Sequence, residues 1–168
     1  MFEKMLDGIE VKLNQDYFEQ KDYYDSIAHK IVYTGCIDEF FDYKYGELGY
    51  RSLKFESEVI EMENYQGCAV INQCDHSKEH TRTVEHKHFE KVKTDHTVIT
   101  REYPIQHKRG MTPYYPINCK ENSEMYDKYR KESKLLTKFI FGGRLAEYKY
   151  MDMHIVIESA MNKFRSAQ

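Results

Sequence analysis

The chain has 168 residues, enough for one domain with a real core. Its 25 basic and 28 acidic side chains are interspersed and leave a net charge of −3, which argues against a nucleic-acid or polybasic membrane partner. No apolar run approaches membrane-spanning length, and Met1-Phe-Glu-Lys4 lacks a signal-peptide pattern, so the expected location is cytoplasmic.

In chain order the pattern is α+β. Residues 2–10 and 17–29 read as short helices, and Lys30 to Tyr33 as a strand ending at Gly35. Leu53, Phe55 and Val59 alternate with Ser52, Lys54, Glu56 and Glu58, which predicts a strand. Further strands are expected over 68–73, 81–89 and 96–103, separated by polar turns, and such short connections imply an antiparallel meander. The polar stretch 121–133 reads as a surface helix. Lys138-Phe-Ile-Phe141 follows as a buried strand, broken by Gly142-Gly143. A last helix starts near Asp152, with Met153, Val156, Ile157, Ala160, Met161 and Phe164 at helical spacing.

Cys36, Cys68, Cys74 and Cys119 lack metal-ligand pairing and are too few for a disulfide framework, so they read as reduced thiols. Fifteen tyrosines and nine phenylalanines make an aromatic-rich chain. Sheet packing accounts for most of them, although sugars and bases also favour such surfaces.

Three segments carry candidate chemistry. The strand, glycine turn and helix start over 138–154 offer free backbone N–H groups to a phosphate, with Arg144, Tyr150 and Asp152 at the turn. A G-x-G-x-x-G fingerprint is missing, and many folds place Gly-Gly after a strand. In Thr81 to Phe89 a period of two puts Arg82, Val84, His86 and His88 on one face; Arg82 is then either a diphosphate fork or an exposed strand charge. His86-x-His88 suggests a metal site only if a third ligand such as Glu102 converges, and partly buried sheet histidines are the plainer reading. Pro113-Tyr-Tyr-Pro116 is stiff and extended, presenting phenols to a phosphate or packing as a loop.

The order of residues in Gly142-Gly-Arg-Leu-Ala-Glu-Tyr-Lys-Tyr-Met-Asp-Met-His154 closely resembles the C-terminal signature of bacterial UDP-galactopyranose mutases. Further matches run in the family's order: Met1-Phe-Glu-Lys-Met-Leu6, Val32-Tyr-Thr-Gly35, Phe41-Asp-Tyr43, Tyr50-Arg-Ser-Leu53, Ala69-Val-Ile-Asn72, Thr81-Arg82, Glu85-His-Lys-His-Phe89, Glu102-Tyr-Pro104 and Pro113-Tyr-Tyr-Pro116. The resemblance covers nearly the whole chain, but only the family's C-terminal half. It is loose over 75–80 and 106–112.

The resemblance implies a division of the chain. Residues 1–35 and 119–168 would belong to an FAD-binding part, and 36–118 would form an antiparallel substrate-binding sheet. It also implies roles. Arg82, Tyr115 and Tyr150 would bind the diphosphate of UDP-galactopyranose or UDP-galactofuranose, with Asn72 beside it and Tyr114 as a packing neighbour. Arg144 and Asp152 would lie against the flavin, and the backbone amides of Met151 to Met153 would face the FAD pyrophosphate. The two sugar forms would interconvert through a flavin N5–sugar adduct with no net redox change, so no side chain here need be a nucleophile and no metal is required. Without the Rossmann half, this chain alone is expected neither to hold FAD tightly nor to turn over. Two other readings remain: a non-catalytic nucleotide-sugar binding or self-associating sheet domain, with a homodimer its simplest form, and a metal-dependent enzyme through His86 and His88.

Overall fold

The computed structural model describes residues 2–166; Met1, which opens the first family match, lies outside the described residues. The fold is α+β: a curled five-stranded antiparallel sheet with flanking helices, beside a pair of parallel strands.

The expected N-terminal helix is only α1 (Phe2–Met5), because Gly8 takes a left-handed φ of 77° and breaks it. The second is split into a 3-10 turn, Phe18–Gln20, and α2 (Lys21–Ile27), with Gln20 in a non-helical conformation between them. Strand β1 (Ile31–Tyr33) then leads through Gly35 into α3 (Ile37–Phe40). A Cβ on Gly35 would sit 2.5 Å from the Tyr33 hydroxyl, which folds back to donate to the Cys36 carbonyl at 3.1 Å. Only glycine allows that fold-back.

The large sheet is built from β2 (Tyr50–Ile60), β3 (Val70–Asn72), β4 (Arg82–Glu85), β5 (Thr97–Gln106) and β6 (Tyr115–Pro116), in the order β3-β4-β5-β2-β6. The predicted meander holds for β3, β4 and β5. It fails for β2, which pairs with β5 along ten residues rather than with its successor β3. Strand β4 is also shorter than the 81–89 expected. At His86 the chain turns helical and forms α4 (Lys87–Glu90), so His86 and His88 do not share a strand face with Arg82. His86 Nε2 reaches Thr100 Oγ1 at 2.7 Å, whereas His88 Nε2 lies 3.2 Å from Glu85.

Helix α5 (Lys120–Ser133) precedes β7 (Phe139–Phe141), which pairs parallel with β1 and so brings the two ends of the chain together. The Gly142-Gly143 turn opens α6 (Gly143–Ala146), and α7 (Met153–Ser166) closes the chain. The core lies where α3, β2, α5 and α6 meet: Cys36, Ile37, Leu48, Tyr50, Tyr129 and Tyr148 are buried together. Its polar atoms are paired, as buried groups require. Asp38 accepts from the Leu48 amide at 2.8 Å, and Tyr129 donates to Gly46 O at 2.7 Å while accepting from Tyr45 N. Burial pushes the Asp38 carboxyl above its usual range, with the Leu48 amide opposing it. The same burial pushes the Cys36 thiol up to about 12, which keeps it protonated and inert.

Candidate functional site

The ladder registers place the site. Strand β4 pairs Arg82 with Asn72 on β3 and with Glu102 on β5, so these three side chains share one face of the sheet. Arg82 Nε donates to Asn72 Oδ1 at 3.0 Å, and its Nη1 lies 3.5 Å from Glu102 Oε2. The guanidinium is half exposed and held from two sides, with donors left over. Phe55 pairs with Glu102 on the other side of β5 and adds an apolar floor beside Leu53.

A second wall comes from β6 and the turn after α6. Tyr115 and Tyr150 meet edge to face, with ring centroids 6.0 Å apart, and the Tyr150 hydroxyl donates to Asp152 at 3.2 Å. Arg144 binds this wall together. Its guanidinium stacks 4.8 Å over the Tyr150 ring, donates through Nε and Nη2 to Met151 O, and reaches Tyr114 O through Nη1 at 3.1 Å. Tyr114 in turn packs edge-on against Phe55 at 5.7 Å, joining the walls.

Between the walls is a cleft of about 570 Å³ lined by Leu53, Phe55, Asn72, Thr81, Arg82, Glu102, Tyr114, Tyr115, Arg144 and Tyr150. That size suits a small-molecule ligand. All four residues expected at the substrate, Asn72, Arg82, Tyr115 and Tyr150, line it. Of the four expected at a cofactor, only Arg144 does. Met151 and Met153 line a neighbouring apolar cleft of about 450 Å³ with Leu145, Val156, Ile157, Phe2 and Met5, and Arg144 borders both clefts. Asp152 sits at the helix start, where its carbonyl accepts the Val156 amide. Among the described residues, no three His, Cys, Asp or Glu side chains converge as metal ligands.

In the sequence Glu102 offers itself only as a metal ligand, whereas in the structure it braces Arg82. Periodicity along one strand cannot reveal this, because it depends on the β4–β5 register. Phe55 and Leu53 were likewise readable as a strand face but not as the floor of a cleft.

Chemically, the cleft offers a half-free guanidinium and the Tyr115 phenol facing each other across an apolar floor. This arrangement suits a polyanion with oxygens on both sides and an organic group between.

The family model described as UDP-galactopyranose mutase matches residues 1–150. The chain is 34% identical over 151 residues to dTDP-fucopyranose mutase of Escherichia coli, covering 89% of this chain and 40% of that protein. It is 35% identical over 158 residues to a probable UDP-galactopyranose mutase of Klebsiella pneumoniae, covering 92% and 40% respectively. With the UDP-galactopyranose mutase of Mycoplasma pneumoniae it shares 34% over 143 residues, 82% of this chain and 36% of that protein. The chain therefore spans about two fifths of the length of these relatives.

Proposed function

The chain belongs to the UDP-galactopyranose mutase family, and we propose that it is the C-terminal portion of such an isomerase, holding the diphosphate of a nucleotide sugar in the cleft between β4 and β6. The observation that carries this reading is the shared cleft of Arg82, Tyr115 and Tyr150, three residues from distant parts of the chain. Arg82, fixed by Asn72 and Glu102, presents its spare N–H donors to phosphate oxygens. The Tyr115 phenol faces it from the opposite wall, and Arg144 orients the Tyr150 ring. As UDP leaves the anomeric carbon and returns, charge grows on its diphosphate. Fixed donors stabilise that charge without reorganising, which is the catalytic contribution assigned to these side chains.

The family resemblance implies FAD. The apolar cleft of Leu145, Met151, Met153, Val156 and Ile157 fits one side of a flavin ring, with Arg144 between it and the diphosphate cleft and the first-turn amides of α7 at its edge. Reduced FAD, when bound, supplies a nucleophilic N5 toward the anomeric carbon with no net redox change. In this reading residues 36–118 supply the substrate sheet and residues 1–35 and 119–168 belong to the cofactor part, which also lends Arg144 and Tyr150 to the diphosphate cleft, in a cytoplasmic protein. The residues of the apolar cleft would cover one side of a flavin, so tight FAD binding and turnover are expected to need the rest of the relatives' length, of which this chain spans about two fifths.

A second reading, a nucleotide-sugar binding or self-associating sheet domain without turnover, is favoured by the exposed apolar positions of α7. The test for the cleft is titration of the chain with UDP, followed by tyrosine fluorescence. Saturable quenching is expected, weakened about tenfold by Arg82→Lys, which keeps the charge and loses the fork. Lack of saturable binding by the unsubstituted chain would overturn the assignment. Isomerisation of UDP-galactopyranose in the presence of a flavin-binding portion then separates enzyme from binding domain.

A further inference from the structure

Between β5 and β6 the chain makes a loop, His107 to Thr112, and one buried hydroxyl grips both its ends. Ser52, on β2, is 2% exposed. Its Oγ lies 2.8 Å from the Thr112 carbonyl oxygen and 3.0 Å from His107 Nδ1. A carbonyl only accepts, so the single Ser52 proton goes to Thr112 O. Ser52 Oγ must then accept from His107, and His107 Nδ1 carries a proton. The imidazole is held edge-on to the Tyr50 ring at 5.8 Å, which fixes its orientation. On the outside of the loop, Arg109 stacks 3.8 Å over the Tyr43 ring and pairs with Glu47 at 2.6 Å.

This loop delivers Tyr114 and Tyr115 to the cleft. Strand β6 is only two residues long, tied to β2 and its approach by the amides of Tyr114 to Arg51 O and Ile117 to Gly49 O, both at 2.9 Å. So short a ladder specifies its register weakly, and a slip of one residue would exchange the faces of the two tyrosines. Tyr114 would leave the Phe55 ring and Tyr115 would leave Tyr150. Something outside the ladder must fix where the segment starts.

We propose that Ser52 is a positioning residue for the cleft: its clasp on His107 and Thr112 sets the register in which Tyr114 and Tyr115 enter it. The use of Tyr115 on a diphosphate rests on the function proposed above; the clasp does not.

Two measurements judge the clasp. Nitrogen-15 correlation spectra of the unsubstituted chain should show His107 in the Nδ1–H form when neutral; an Nε2–H tautomer would overturn the proposal, and this needs no variant to fold. Amide hydrogen exchange in Ser52→Ala should be roughly tenfold faster at Tyr114 and Ile117, while helix α5 keeps its protection. Unchanged exchange at those two amides, or equal acceleration in α5, would overturn it as well. UDP affinity, measured in parallel, should fall with the local opening. If the unsubstituted chain does not bind UDP, the diphosphate reading fails and the clasp is still judged by tautomer and exchange.

Discussion

Glu85 ends β4 fully buried, and its carboxylate works as a staple for the loop over residues 61–67. Tyr65 N and Gln66 N donate to its two oxygens at 3.1 and 2.8 Å, His88 lies at 3.2 Å, and Lys87 at 4.0 Å. Burial alone would raise its pKa. The Gln66 and Tyr65 amides, with Thr97 and His88, outweigh that and hold it at about 2, against an ordinary 4.5. A depressed carboxyl contributes stability that is fully present above the unfolded pKa and is lost as pH falls through the folded one. Urea midpoints should therefore drop between about pH 4.5 and 2, and Glu85→Gln should flatten that drop. At pH 7 the same variant should cost about 2–3 kcal/mol, because two backbone donors lose a charged acceptor. An unchanged midpoint at pH 7 would contradict the staple. In the sequence Glu85 is one carboxylate in a histidine-rich motif. Its partners come from 19 and 20 residues upstream, which no local pattern encodes. Arg82 was legible for a different reason: its motif carries a family resemblance, and the period of two already set its face.

Among the elements, the α5 boundaries were readable, whereas the strand faces were readable only in part: on β2 the apolar Phe55 and Val59 lie exposed while Tyr50 and Ser52 are buried. Strand order was not, since β2 and β5 pair across an intervening hairpin and only long-range packing selects that partner. The turn between α6 and α7 shows the same limit at closer range. Gly142-Gly143 was visible as a breaker, but the geometry that aims Tyr150 depends on Tyr148, a bulky residue in the left-handed region with φ 46°. Such a conformation costs about 1–2 kcal/mol for a residue with a Cβ. It persists because the buried Tyr148 hydroxyl donates to Gly49 O at 2.6 Å, with Ile117 O 3.0 Å away, while its ring packs against Tyr50 and Tyr126. Tyr148→Phe keeps the ring and removes the anchor. It should lower stability by about 1 kcal/mol, the net worth of one buried hydrogen bond, since Gly49 O keeps the Ile117 amide and Ile117 O keeps Asn122 Nδ2. It should also weaken UDP binding, because Tyr150 and Arg144 flank this turn. Thermal unfolding and UDP titration of the same variant check both, and intact affinity in a destabilised protein would detach the turn from the cleft.

For the whole molecule, the apolar spacing of α7 is helical as the sequence predicts, and much of that stripe stands open. Met153 is 72% and Phe164 64% exposed, Met161 is half exposed, and Phe2 and Met5 stand open nearby. Strands β1 and β7 form a two-stranded parallel sheet with Val32 exposed, whereas parallel sheets are ordinarily covered on both faces and widened by further strands. The large sheet also leaves Phe55, Val59, Val70 and Val98 partly exposed. On its own the chain should lower its exposed apolar area by associating through the α7 side. Sedimentation velocity should show mass rising with protein concentration, and Met161→Lys with Phe164→Glu should return the monomer while leaving UDP affinity within about twofold, since neither residue lines the diphosphate cleft. A concentration-independent monomer before substitution would mean that the exposed stripe is tolerated, and loss of UDP binding in the double variant would mean that the α7 side and the cleft are coupled. The sequence carries a helical period but no record of what covers it, because a stripe facing its own core and one facing other polypeptide are written in the same residues.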